Sequence, residues 1–168
     1  HLGNFKSLRE IALAKSEILN SSLGLKSIIL NRDDKYFSLM KRESKKNYFK
    51  PIISFGKSKG SNVQLKTVIR KKNKLFLSVS LQNAKIVNYS LPNTHEHLIS
   101  NSLAIISSLQ ALNLKTSFIK NYGKLELTSG RGNLLKIKRG NQNFKIIDHS
   151  YNASPESYFA TLKSFNNQ

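Results

Sequence analysis

The chain has 168 residues, no cysteine, and 28 Lys and Arg against 9 Asp and Glu, for a formal net charge of +19. The length admits a core in one domain or one and a part, the missing thiols exclude a disulfide framework and thiol chemistry, and no apolar run approaches the roughly 20 residues of a membrane-spanning helix. The charge fits either a polyanion partner or compositional drift; lysines scattered from Lys6 and Lys26 through Lys66, Lys85 and Lys115 to Lys163, with Lys far more frequent than Arg, favour drift and no nucleic-acid partner.

No signal-peptide pattern is visible. The chain opens at His1 and enters a structured pattern at once, so it is expected to be a piece of a longer protein. Residues 7–20 read as a helix, with Leu8, Ile11, Ala12, Ile18 and Leu19 at helical spacing and Gly24 as a stop. Residues 26–30 form a short buried strand closed by Asn31-Arg32-Asp33-Asp34, residues 36–42 a helix, and residues 52–55 a strand ending in Gly56. The period then changes. Val63, Leu65 and Thr67 alternate, as do Leu75, Leu77, Val79 and Leu81, around a polar turn at 70–74; a strand at 85–89 completes an antiparallel meander with one buried face. Pro92-Asn93-Thr94 starts a helix to Leu112, with Leu98, Ile105, Leu109 and Leu112 on one stripe. A weaker segment, 115–127, leads to Ser129-Gly130-Arg131-Gly132, the expected domain hinge. A hairpin follows (134–137, a turn at Gly140-Asn141, 144–147). Then comes a helix capped by Ser154, with Pro155 at its first position and Glu156 in its first turn. No internal repeat is present.

Several residue groups stand out chemically. Lys15 shares a helical face with Leu8, Ile11, Ala12 and Ile18, expected to be the buried side. It is either a lysine whose stem packs while its amine snorkels or a desolvated, reactive amine. Asn31, Asp33 and Asp34 follow a buried strand, where open α/β sheets place ligand groups; the alternative is a loop whose Asn and Asp satisfy their own backbone. His97 and Asn101 lie i, i+4 on one helix face. Arg131 between two glycines suits bidentate phosphate capture. Asp148 ends the last strand, before His149-Ser150-Tyr151-Asn152. Phe55-Gly56-Lys57-Ser58 mimics a P-loop but lacks the glycine five residues before its Gly-Lys, where Pro51 stands, so it is rejected.

Taken together, these segments resemble the Mur ligase family. Asp148 to Pro155 is similar to the family's "DDSYNANP", with His149 at the second acid. Residues 1–18 are similar to "HLExFgSxxxIAxAKxEI", with Gly3 for the acid of "HLE". Residues 30–35 are similar to "LNADDP", with Lys35 at the proline. Residues 95–104 are similar to "GxHNxxNALAA", and Gly130-Arg131-Gly132 to "GRG". The resemblance implies that Lys15 is carbamylated and, with His1, holds Mg2+. It implies that Asn31, Asp33, His97, Asn101, Arg131, Asp148 and Asn152 bind ATP, Arg131 acting catalytically.

The implied fold is α/β. Residues 1–128 would be the latter part of the Mur ligase central ATP-binding domain, a sheet with flanking helices and an antiparallel meander. Residues 129–168 would open a Rossmann-like C-terminal domain, with the true P-loop upstream of His1. The implied activity is ATP-dependent amide-bond formation through an acyl phosphate in peptidoglycan precursor synthesis. The likeness is greatest to the branch that adds D-alanyl-D-alanine to UDP-N-acetylmuramoyl-tripeptide, cytoplasmic and monomeric when full length. The fragment alone is expected to be inactive. A folylpolyglutamate synthase-like ligase and a basic nucleic-acid-binding module are the alternatives.

Overall fold

The computed structural model describes residues 5–20, 26–46, 51–72, 74–92, 97–124, 130, 133–148, 150–151, 158–159 and 162. They fall into two compact units, His1–Gly123 and Lys124–Gln168.

In the first unit, helix α1 (Leu8–Ser16) starts at Ser7, whose side chain accepts from the Glu10 amide. This cap satisfies one of the orphan donors of the first turn. A 3-10 turn at Glu17–Asn20 continues it. The apolar run after Lys26 becomes strand β1 (Ile28–Asn31), followed by helix α2 (Phe37–Glu43) and strand β2 (Ile52–Gly56). β1 and β2 pair in parallel. Leu19, Ile28 and Leu30 are buried together, with Phe37, Met40 and Ile52 packed against them. At the end of α2, Glu43 is buried and paired with Lys46 (2.5 Å) and Arg42 (3.5 Å). The Lys46 hydrogen bond, outweighing burial, holds the Glu43 carboxyl below the usual range.

The meander follows as β3 (Val63–Lys71), β4 (Lys74–Leu81) and β5 (Ile86–Pro92). The sheet order is β1-β2-β3-β4-β5, parallel from β1 to β3 and antiparallel from β3 to β5. Leu75, Leu77, Val79 and Leu81 alternate inward on β4, and Val87, Tyr89 and Leu91 on β5, leaving Phe76 and Ile86 exposed. One expectation needs correction. Thr67 does not continue the inward row of Val63 and Leu65, because a bulge between Leu65 and Thr67 shifts the register. Thr67 pairs with Ser78 and is exposed, while Val68 sits opposite the buried Leu77. An extra residue in one strand reverses the side-chain phase beyond it.

Helix α3 (His97–Ala111) packs on β1, β2 and β3. Its buried face is Leu98, Ile99, Ser102, Leu103, Ile106 and Ser107. The predicted stripe holds at Leu98 and fails beyond it: Leu112 is 66% exposed, and Ile105 and Leu109 are only half-buried. Serines can take core positions here because their hydroxyls bond within the helix, Ser102 Oγ to Ile99 O (2.7 Å) and Ser107 Oγ to Leu103 O (2.9 Å). With the Ser102 hydrogen committed to Ile99, Tyr89 is the donor in the 2.7 Å contact between the two hydroxyls. That bond ties β5 to α3. Replacing Tyr89 by Phe is expected to cost about 0.5–1.5 kcal/mol, the usual net worth of such a bond, in denaturant unfolding. Burial pushes the Tyr89 phenol up to about 12. The raised value favours the folded state fully below pH 10.0, and the contribution is lost as pH climbs from there through about 12. A spectrophotometric titration should show one tyrosine ionising only near that upper limit.

A 3-10 segment, Thr116–Lys124, follows α3 and buries Ile119.

The second unit contains a hairpin of β6 (Asn133–Arg139) and β7 (Gln142–Asp148) around Gly140-Asn141. Gly140 has φ +61, the left-handed conformation such a two-residue turn requires. Tyr158, Phe159 and Leu162 are helical and exposed; residues 152–157, where that helix is expected to start, lie outside the described residues. Among the described residues no helix is long and apolar enough to cross a membrane.

Candidate functional site

Polar groups gather where the parallel strands end. β1 stops at Asn31, and the chain turns there because Asn31 Oδ1 accepts from the Asp33 amide (3.0 Å) and Asn31 O from the Asp34 amide (3.4 Å). Asp34 Oδ1 then accepts from Tyr36 N (2.7 Å), leading the chain into α2. The neighbouring strand feeds the same rim. Arg32 N donates to Phe55 O (2.7 Å), and the Arg32 guanidinium lies 5.4 Å from the Phe37 ring centroid.

The Asp33 carboxylate crosses to the loop after β2. Oδ2 accepts from Lys57 N (2.7 Å), and Oδ1 from Ser58 N (2.9 Å) and Ser58 Oγ (2.6 Å). Burial opposes ionisation, but these donors and the Lys57 charge outweigh it and hold the carboxyl below its ordinary value of 3.8. The bonds therefore stabilise the fold above the ordinary pKa and weaken as pH falls through the lowered one. Two amides of the Gly-Lys-Ser segment that mimics a P-loop, those of Lys57 and Ser58, are thus already taken by an internal carboxylate. Deeper in the loop, Asn62 Oδ1 accepts from Ser54 N (2.8 Å) and Ser54 Oγ (2.7 Å), and its Nδ2 donates to Gln82 (2.8 Å).

Lys15 sits in the last turn of α1 and is exposed. The buried side of this helix is Ala12 and Ser16, continued by Leu19; Leu8 and Ile18 are exposed at 48% and 68%. Of the apolar side predicted around Lys15, Ala12 is buried and Ile11 half-buried, while Leu8, Ile18 and Lys15 itself are open in this unit. The Lys15 amine has no ion pair with another described residue. A carbamate there would be an oxygen donor of the kind Mg2+ takes, and Mg2+ commonly keeps one or two carboxylate ligands beside water and substrate phosphates. The donor set fits that ion to this extent. His1 lies outside the described residues. Among the described residues no group of three His, Asp or Glu is gathered.

His97 and Asn101 fall one turn apart on α3, and Asn101 is exposed. In the second unit, Asp148 ends β7 and its Oδ1 accepts from Ser150 N (3.0 Å). Tyr151 N donates to Gly130 O (3.2 Å), so the segments flanking the hairpin meet. Gly130 has φ +78, and a Cβ there would lie 2.8 Å from Tyr151 N, so this approach requires glycine. Arg131 and Asn152 lie outside the described residues. Sequence reading missed the Lys57–Ser58 loop as the partner of Asp33; its only local signal was Gly56 at the strand end.

An open sheet with polar turns at the ends of its parallel strands is a nucleotide-binding type of α/β architecture. The Mur ligase middle domain matches residues 1–109, and the chain belongs to the Mur ligase family, whose members are ATP-dependent ligases. The chain is similar to the UDP-N-acetylmuramoyl-tripeptide--D-alanyl-D-alanine ligase of Rickettsia prowazekii. The two are 30% identical over 168 residues, covering 97% of this chain and 35% of that protein. The ligase of the same name from Buchnera aphidicola subsp. Baizongia pistaciae is 31% identical over 172 residues, 99% of this chain and 35% of the relative. Among solved structures, MurF from Acinetobacter baumannii superposes with a TM-score of 0.81 at 25% identity, over 100% of this chain and 35% of that one. MurF ligase from Thermotoga maritima in complex with ADP has the same fold, with a TM-score of 0.73 at 21% identity over 98% of this chain and 36% of that one. The chain therefore spans about a third of the length of these relatives.

Proposed function

We propose that the full-length protein adds D-alanyl-D-alanine to UDP-N-acetylmuramoyl-tripeptide at the expense of ATP, in peptidoglycan precursor synthesis. The observation that carries this reading is sequence similarity running along 97% of the chain to a ligase of that name. The substrate carboxylate attacks the γ-phosphorus of ATP; ADP leaves and an acyl phosphate forms. The amine of the dipeptide attacks the acyl carbon, phosphate leaves, and the amine gives up a proton. Phosphoryl transfer of this kind is mostly positioning and charge neutralisation.

The middle domain takes up residues 1–128 and the opening of the C-terminal domain residues 129–168. Asn31 and Asp33 border the nucleotide site, and His97, Asn101, Arg131, Asp148 and Asn152 contact the nucleotide, Arg131 neutralising phosphate charge. The Lys15 amine, once neutral, attacks carbon dioxide, forms an N–C bond and releases a proton. His1 and the resulting carbamate are the residues that would hold Mg2+. That ion supplies charge stabilisation for the transferring phosphoryl group when bound. The enzyme works in the cytoplasm as a monomer.

The test is a coupled assay of the full-length protein with ATP, the UDP-linked tripeptide and D-alanyl-D-alanine. Phosphate release that requires the dipeptide is the expected result. Turnover with a folate and glutamate instead would overturn this reading. Residues 1–168 alone should bind magnesium-ATP weakly, since the Lys57 and Ser58 amides are occupied by Asp33; micromolar affinity in calorimetry would contradict this.

A further inference from the structure

We infer that Asp33 is a positioning residue that latches the β2–β3 loop to the end of β1, and does not itself contact the nucleotide. The inference rests on the nucleotide reading above. Both carboxylate oxygens already have partners, three donors in all from Lys57 and Ser58. Of the roughly four acceptor positions of a carboxylate, three are thus committed to holding the fold, and one, on Oδ2, is left.

The backbone around Asp33 is built for the latch. Gly56 has φ +149, and a Cβ at that position would stand 2.6 Å from Asp33 Oδ1 and 2.7 Å from Oδ2. Only glycine lets the carboxylate come so close to the loop. The same turn sets Asn31: its Oδ1 is fixed by the Asp33 amide, and its Nδ2 has no partner among the described residues. The residue available to donate to a ligand is thus Asn31, and Asp33 holds the turn and loop that orient it. Arg32 belongs to the same assembly, anchored by its amide to Phe55 O, with its guanidinium 3.4 Å from where a Cβ on Gly60 would lie.

The experiment uses the full-length protein and calorimetric titration with ADP, 2′-deoxy-ADP and 3′-deoxy-ADP. Four variants are compared: Asp33→Asn, Gly56→Ala, Ser58→Ala and the double variant Asp33→Asn/Gly56→Ala. A latch predicts that Asp33→Asn and Gly56→Ala weaken ADP binding by similar factors of about tenfold, the lower end of what losing a residue that orients a ligand-binding group costs. The double variant should be no weaker than either single one, and the preference for ADP over its deoxy forms should stay unchanged. Ser58→Ala should show a smaller loss of the same kind, and it covers the case in which Gly56→Ala fails to fold. The inference is overturned if Asp33→Asn abolishes the preference for the intact ribose, or if both Gly56→Ala and Ser58→Ala bind like the parent while Asp33→Asn does not. A parent that binds no ADP removes the nucleotide reading itself. Amide hydrogen exchange at Lys57 and Ser58, slow in the parent and fast in Asp33→Asn, then still decides whether the latch exists.

Discussion

Replacing Lys15 by Ala in the full-length protein is expected to lower kcat on the order of a hundred- to a thousandfold, the range for removing one preorganised charge-stabilising group. Lys15 closes a helix whose start is fixed by the Ser7 cap, so its Cα position is set by the fold rather than by a loop. Its side chain is exposed and has no ion pair with another described residue. Because the group lost is a carboxylate equivalent, high bicarbonate or a short carboxylate such as acetate should restore part of the rate to Lys15→Ala. Near-parental turnover of the variant would end the assignment. A loss of rate accompanied by a lowered melting temperature would point to packing of the lysine stem instead.

Ile106→Ala is expected to destabilise the first unit by about 2–5 kcal/mol, the usual cost of emptying a fully buried aliphatic site. Ile106 is wholly inaccessible at the centre of α3, the helix that covers β1, β2 and β3. Leu112→Ala on the same helix should change stability by no more than about 0.5 kcal/mol, because that side chain is 66% exposed. Denaturant melts of the two variants decide which face of the helix carries the core. Equal effects would restore the stripe predicted from apolar spacing alone.

That stripe illustrates what spacing can and cannot reveal. The existence of α3 was legible from its helical period, but its buried face was not, because the face includes Ser102 and Ser107. A serine counts as polar in any hydrophobic pattern, yet it can bond to the preceding turn of its own helix and then be buried at little cost. α1 repeats the lesson. Of the apolar set Leu8, Ile11, Ala12, Ile18 and Leu19 read from the sequence, Ala12 and Leu19 are buried, while Leu8 and Ile18 are exposed and Ser16 joins the buried side. In β3 the alternation Val63, Leu65, Thr67 held for two residues and was then reversed by a bulge that no local signal announced.

The sequence by itself determined where the described elements begin and end to within a few residues, the Gly140-Asn141 turn, the one-faced meander and the ordered motifs that mark a Mur ligase. These are properties of neighbouring residues: backbone preference, capping and period act over one turn or one strand. Tertiary structure alone decided that Asp33 meets Lys57 and Ser58, residues 24 and 25 positions away. That meeting exists because β1 and β2 lie side by side in parallel, bringing both C-terminal ends to one rim. Parallel pairing joins strands through a crossover connection, so the partner of a carboxylate at such a rim is chosen by the sheet and not by the local sequence.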